Sequence, residues 1–211
     1  MDKYQETFDT WNKIAHIYRD RFMDLDLYNE TYDCFCELVP AEGAVILEIG
    51  CGPGNITRYL LGKRPDFDMT GIDVAPDMLE LARQHNPSAR FLAMDCRDLR
   101  QLDARYDGIV CGFCIPYISQ EDITTLFRDC HELLSADGLL YLSFVEGDPE
   151  ASGYQTGSSG LRLFFYYHTG DHIMQELDRN NFVPVRQFDV PYPKSDTTYE
   201  THTVMIFRKI K

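Results

Sequence analysis

Apolar residues recur every three or four positions through the first forty residues, and then the pattern changes to short unbroken runs. Phe8, Trp11, Ile14, Ala15, Tyr18 and Phe22 form one helical stripe, and Tyr28, Tyr32, Phe35, Cys36 and Val39 continue it after a short break, so residues 2–38 are predicted helical. Pro40, Glu42 and Gly43 punctuate the chain. From there strand and helix signals alternate. Strands are predicted at 45–49, 67–73, 90–94, 106–112 and 139–145. Helices are predicted at 55–61, from Pro76 through Ala82, and at 121–134, where Ile123, Leu126, Phe127, Cys130, Leu133 and Leu134 mark one face. Alternation of this kind predicts a mostly parallel sheet with right-handed crossovers and helices on both faces. The continuous apolar runs 44–49 and 139–145 suit strands covered on both sides.

The last third reads differently. Residues 146–160 are rich in Gly, Ser, Asp and Pro, and predict a loop after a strand end, where it either closes over a substrate or merely connects. Residues 161–168 are densely aromatic and predict a strand. Thr169 is placed to cap a helix running through Leu177 to Asn180-Asn181, and 183–190 with 201–210 predict an antiparallel closing pair. The organisation expected is one domain over 1–211: a helical cap at 1–40, a core at 43–145, and a loop with closing strands at 146–211.

Composition narrows the partners. Hydrophobic residues make up 44% and charged residues 26% of the 211, enough apolar material for a full core. The 34 acidic against 20 basic residues give a formal net charge of -14, which disfavours nucleic acid and anionic membranes as partners. The chain opens Met1-Asp2-Lys3 with no charged-then-apolar leader, and its longest apolar run is too short to cross a bilayer. Seven scattered cysteines, with Cys34/Cys36 and Cys111/Cys114 as the close pairs, lack zinc-site spacing. A reduced, cytoplasmic, metal-free monomer or homodimer is the expectation.

The candidate chemistry gathers at the first strand. Val45-Ile46-Leu47-Glu48-Ile49 runs straight into Gly50-Cys51-Gly52-Pro53-Gly54-Asn55, a glycine turn before a helix. Glycine lets backbone approach a ligand closely. Dinucleotide sites need G-x-G-x-x-G, but here Asn55 stands where the last glycine belongs. Glu48 is a poor neighbour for a diphosphate and a good one for an ammonium group.

These residues resemble motif I of the class I S-adenosylmethionine-dependent methyltransferases. Three further stretches are similar to that family's strand ends: Gly71-Ile72-Asp73-Val74 before Pro76-Asp77-Met78; Met94-Asp95-Cys96; and Tyr106-Asp107-Gly108-Ile109-Val110-Cys111. The resemblance spans about 43–145 and implies a Rossmann-like, seven-stranded, mostly parallel sheet. It also implies S-adenosylmethionine as methyl donor and S-adenosylhomocysteine as product, with a small-molecule acceptor. On this likeness Asp73 would bind both ribose hydroxyls and Asp95 the adenine amino group, while Met78 and Cys96 would sandwich the ring. Gly50 and Gly52 would meet the methionine moiety, and backbone near Cys111 and Phe113 its amino group. Glu48, Cys51, Gly54, Asn55, Val74 and Tyr18 complete the expected donor site. Plainer roles are open for three acids: a turn acid at Glu48, a helix cap at Asp73 and a loop acid at Asp95.

Methyl transfer from a sulfonium needs proximity and a dry site more than a fixed catalytic constellation. Methyltransferases acting on amino groups of bases or glutamine carry Asp/Asn-Pro-Pro-Tyr after the fourth strand; here Cys114-Ile115-Pro116-Tyr117 lacks the polar acceptor and the first proline. Trp11, Tyr18, Phe113, Tyr117, Tyr166, Tyr167 and His168 lie on segments able to roof a pocket, with His168, Tyr18 and Tyr117 as catalytic candidates. His16 and His131 read as surface residues. Two other functions stay open at this point: an NAD(P)-dependent oxidoreductase, and a binding module that kept the donor pocket without an acceptor site.

Overall fold

The computed structural model describes residues 2–157, 159–195 and 197–211; Met1, Ser158 and Asp196, the second inside the predicted loop, lie outside the described residues. The chain opens with helices α1 (Lys3–Lys13), α2 (Ala15–Phe22) and α3 (Asn29–Leu38), then alternates β1 (Val45–Ile49), α4 (Asn55–Lys63), β2 (Asp68–Asp73), α5 (Pro76–His85) and β3 (Arg90–Ala93). A 3-10 segment leads to β4 (Tyr106–Gly112), α6 (Gln120–Leu133) and β5 (Leu134–Val145). A short hairpin follows, β6 (Gly153–Thr156) with β7 (Arg162–Phe165), then α7 (Gly170–Arg179), β8 (Phe182–Pro193) and β9 (Tyr199–Lys209).

Seven strands form one sheet in the order β3-β2-β1-β4-β5-β9-β8. The first five are parallel, and β9 and β8 close the edge antiparallel. Period-two alternation sorts the strand side chains onto two faces. Leu47, Ile49, Ile109, Leu140, Leu142 and Phe144 pack with Leu126, Phe127 and Cys130 of α6 and Ile173 and Leu177 of α7. Ile46, Met69, Val110, Tyr141, Val204 and Ile206 pack with Tyr32, Phe35 and Cys36 of α3 and Ile56 and Leu60 of α4. Glu48 shares the face of Ile46, which is why it meets α4 and not α6. Strand order reverses between β1 and β4, and a crevice opens at the strand C-termini there, the usual ligand position in such sheets.

Three expectations need correction. Residues 146–160 are more than a loop: a 3-10 turn at Pro149–Ala151 and β6 lie within them. The aromatic strand is short and stands outside the main sheet. Its residues pair with β6 and lean on α1, where Thr10 Oγ1 donates to the Arg162 carbonyl at 2.7 Å and the Phe164 N–H donates to Thr7 Oγ1 at 3.1 Å. β5 begins at Leu134 rather than at Leu139, because Leu134 pairs with Tyr106 across a register shift. Thr169 does cap α7, accepting from the His172 N–H at 3.2 Å. The predicted closing pair is the β8–β9 ladder, and Pro184, Pro191 and Pro193 on the outer strand remove donors from an edge that could pair with another chain. Among the described residues, no helix is long and apolar enough to cross a membrane.

Candidate functional site

A cavity of about 360 Å³ occupies the crevice between the strand ends and the N-terminal helices. That volume is in the range of small-molecule sites.

One end is built from strand termini. The turn after β1 holds Gly50, Gly52 and Gly54 at φ +67°, +51° and +81°. At Gly50 the requirement is double, since a Cβ would also lie 3.0 Å from the Cβ of Cys114. The Gly52 N–H donates to Asp73 Oδ2 at 2.9 Å, and the Ala75 N–H donates to Oδ1 at 2.9 Å. Each oxygen of Asp73 therefore keeps acceptor capacity for the cavity, which suits a pair of vicinal hydroxyls. Burial raises this carboxyl above its ordinary value, and the backbone N–H groups oppose the shift. Glu48 lies on the wall just below, 1% exposed, and accepts a short hydrogen bond from Thr57 Oγ1. Burial pushes the Glu48 carboxyl up to about 8. Among the described residues no cation pairs with Glu48, and a buried acid so placed is ready to meet an ammonium group.

Of the expected donor-site residues, Glu48, Gly50, Cys51, Gly52, Asn55, Asp73, Val74, Met78, Asp95, Cys96, Phe113 and Tyr18 line this cavity. Cys111 and Gly54 do not. Cys111 is fully buried among the residues facing α6, and the wall at this point is Gly112, Phe113 and Cys114 instead. Gly54 starts α4, and a Cβ there would lie 2.4 Å from Asn86 Nδ2, so its smallness serves the packing of α4 on α5. Asp95 is on the wall, yet its carboxylate is committed to Arg97, accepting from the backbone N–H at 2.9 Å and from Nε at 3.0 Å. Phe113 takes φ +53°, a costly conformation for a residue with a side chain, held by its N–H donating to the Ser143 carbonyl at 3.1 Å and Oγ at 3.0 Å.

An aromatic wall from the cap lies against this end: a Cβ on Gly52 would lie 3.8 Å from the Tyr18 ring, and Trp11 and Tyr18 pack with Ala75 and Met78. Trp11 of α1 meets Tyr18 and Tyr117 edge-on at centroid distances of 5.4 and 5.1 Å, and Phe165 and Tyr167 from the hairpin join this wall. Burial pushes the Tyr18 and Tyr117 phenols up, so both stay protonated. The cap is latched by Asn12 Oδ1 accepting from the Asp77 N–H at 2.8 Å and by Tyr4, whose hydroxyl accepts from the Ser119 N–H at 2.9 Å.

His168 is not a candidate base. It is 1% exposed and off the cavity, and its Nε2 donates to the carbonyls of Ile115 and Ile118 at 3.1 Å, bracing the turn that carries Tyr117. Burial lowers its pKa. Tyr166 likewise points away, because Phe165 and Tyr167 take the cavity side of the alternation. His16 is exposed and His131 half-buried.

Sequence reasoning missed a polar cluster beside Phe113 on the cavity wall: Tyr28, Tyr192, Lys194, Glu200 and His202. The signal was topological. β9 runs antiparallel, so its first residues lie beside the last of β5, His202 opposite Val145, at the edge where the parallel strands end.

Sheet order, glycine turn and strand-end acids define a Rossmann-like donor-binding core, and residues 46–138 match the methyltransferase domain family. Over residues 46–138 the core is a methyltransferase domain, and its fold is the one shared by solved S-adenosylmethionine-dependent methyltransferases. The chain is 34% identical over 167 residues to a malonyl-[acyl-carrier protein] O-methyltransferase of Bacillus anthracis, covering 68% of this chain and 61% of that protein. It is 26% identical over 142 residues to the demethylmenaquinone methyltransferase of Thermotoga maritima, covering 67% and 58%. The chain spans about half the length of the curated relatives it matches. Among solved structures, the 1,6-didemethyltoxoflavin-N1-methyltransferase of Burkholderia thailandensis, with its substrate and S-adenosylhomocysteine bound, shares the fold at a TM-score of 0.73 and 24% identity, over 98% of this chain and 88% of that one.

Proposed function

We propose that this protein transfers a methyl group from S-adenosylmethionine to a small-molecule acceptor. The observation that carries the reading is Asp73: both oxygens are anchored by backbone N–H groups, one from the glycine turn, with the free acceptor capacity turned to a cavity that also contains Glu48. Bound there, the donor supplies a methyl carbon made electrophilic by a sulfonium, which leaves as a neutral thioether.

The chain's own residues hold and shield it. Asp73 accepts from the ribose hydroxyls, Glu48 faces the ammonium group, and Gly50, Gly52 and Asn55 let backbone lie against the methionine moiety. Met78 and Cys96, joined by Met94, take the adenine ring, and Asp95 meets its amino group through acceptors shared with Arg97. Trp11, Tyr18 and Tyr117 exclude water from the transfer. A single domain over 1–211 is favoured because α1 closes on both β7 and α5. The relatives named for small molecules, the demethylmenaquinone and toxoflavin enzymes, support an acceptor of that size. The net charge of -14 supports a cytoplasmic protein that avoids nucleic acid and membranes.

Calorimetric titration with S-adenosylhomocysteine tests the reading. Binding is expected in the wild-type protein and loss of it in Asp73→Ala; a wild type that does not bind would end the proposal.

A further inference from the structure

The acceptor end of the cavity contains a connected set of polar groups that donor binding does not use. The Tyr28 hydroxyl lies 2.7 Å from His202 Nδ1, and His202 Nε2 lies 3.5 Å from Glu200 Oε2. A carboxylate only accepts, so the imidazole proton belongs on Nε2 and Nδ1 accepts from Tyr28. The ring is fixed by Tyr192, stacked at 4.6 Å, and by the edge of Phe113 at 5.0 Å. Burial keeps the imidazole neutral and the phenol protonated. Lys194 Nζ holds the other Glu200 oxygen at 3.0 Å. Among the described residues, the cavity-wall cations Lys194 and Arg97 are paired with Glu200 and Asp95, which leaves neither for an anionic acceptor. The surfaces around the set are flat and aromatic: Phe113 lies 5.1 Å from the Tyr28 ring, and Tyr192 is stacked on His202.

We propose that Tyr28, His202 and Glu200 form a proton relay for a neutral, flat acceptor with an aromatic hydroxyl, methylated at oxygen. The proposal rests on the methyl-transfer reading above. The acceptor oxygen uses a lone pair to bond the methyl carbon as the C–S bond breaks, and that bond's electron pair stays on sulfur. The hydroxyl proton moves to the Tyr28 oxygen while the Tyr28 proton moves to His202 Nδ1. One positive charge disappears at sulfur and one appears on the imidazole, facing Glu200. A general base of this kind contributes about 10²-fold or more. Tyr28 touches the acceptor; His202 and Glu200 act through it.

The test uses the whole chain with catechol and 4-nitrophenol as probe acceptors, following S-adenosylhomocysteine release and the methyl ether by mass spectrometry. S-adenosylhomocysteine affinity is measured first for every variant. Wild type is expected to methylate catechol, and His202→Gln and Tyr28→Phe to lose about 10²-fold in that rate with donor affinity unchanged. The loss should largely vanish for 4-nitrophenol above its own ionisation, where no base is needed, an outcome that a merely structural role would not produce. Nitrogen-15 spectra of the protein with S-adenosylhomocysteine should show His202 neutral, with its proton on Nε2. Wild type that binds S-adenosylhomocysteine but methylates neither phenol would overturn the proposal, as would equal losses on both probes or a proton on Nδ1. Wild type that fails to bind S-adenosylhomocysteine overturns the donor reading itself, a failure seen before any turnover is measured.

Discussion

At the donor end of the cavity, polar contacts come from backbone amides and carboxylates at the ends of consecutive strands, within residues 48–114. At the acceptor end they come from side chains at the start of α3, at the end of β8 and on β9; Tyr28 and His202 are 174 residues apart. The first end is set by turn geometry and strand order, so it tolerates little change in backbone and much change around it. The second is set by how separately folded pieces pack, so its shape can vary while the sheet stays the same.

The largest expected effect concerns Glu48. Its folded value of about 8 lies above the ordinary 4.5, so the folded chain binds the proton more tightly than the unfolded one. Its stabilising contribution is complete below 4.5 and is lost as pH rises toward 8, on the order of 5 kcal/mol across the window. Denaturant unfolding of the free protein at several pH values should show this decline, with a shallower one in Glu48→Gln. Identical slopes would mean that the donor end holds no strained acid.

Next, Asp73→Ala should weaken S-adenosylhomocysteine by about 10²-fold, since hydrogen bonds to charged groups contribute about 1.5–3 kcal/mol each. Calorimetry measures this directly. Gly50→Ala should follow with about 2 kcal/mol of lost stability in chemical denaturation, from the positive φ and the contact with Cys114, together with weaker donor binding. The smallest effect belongs to the aromatic wall: Trp11→Leu keeps most apolar area, loses two edge-on contacts and should cost about 1 kcal/mol. Its donor affinity should fall far less than that of Asp73→Ala. If the two fall equally, the aromatic wall beside Met78 holds the donor as firmly as the carboxylate does.

The donor end was legible because its requirements are local. Each strand announces itself by a run of apolar residues, each turn by glycine, and each acid stands a fixed step from its strand end. Errors there were of single residues: Cys111 turned into the core while its neighbours Gly112 and Phe113 met the cavity, and Gly54 serves the packing against Asn86. His168 misled because an aromatic run ending in histidine does not say which side the alternation exposes. Its ring went inward to two carbonyls.

By itself the amino-acid sequence determined the alternation of strands and helices, the glycine turn and its acids, and hence the methyltransferase core, because these follow from short-range periodicity and backbone sterics. Tertiary structure decided the rest: that the aromatic strand leaves the sheet to brace α1, and that Tyr28, His202 and Glu200 meet across the cavity. Contacts of that kind depend on which way a strand runs and which face a helix presents, and no local pattern encodes either.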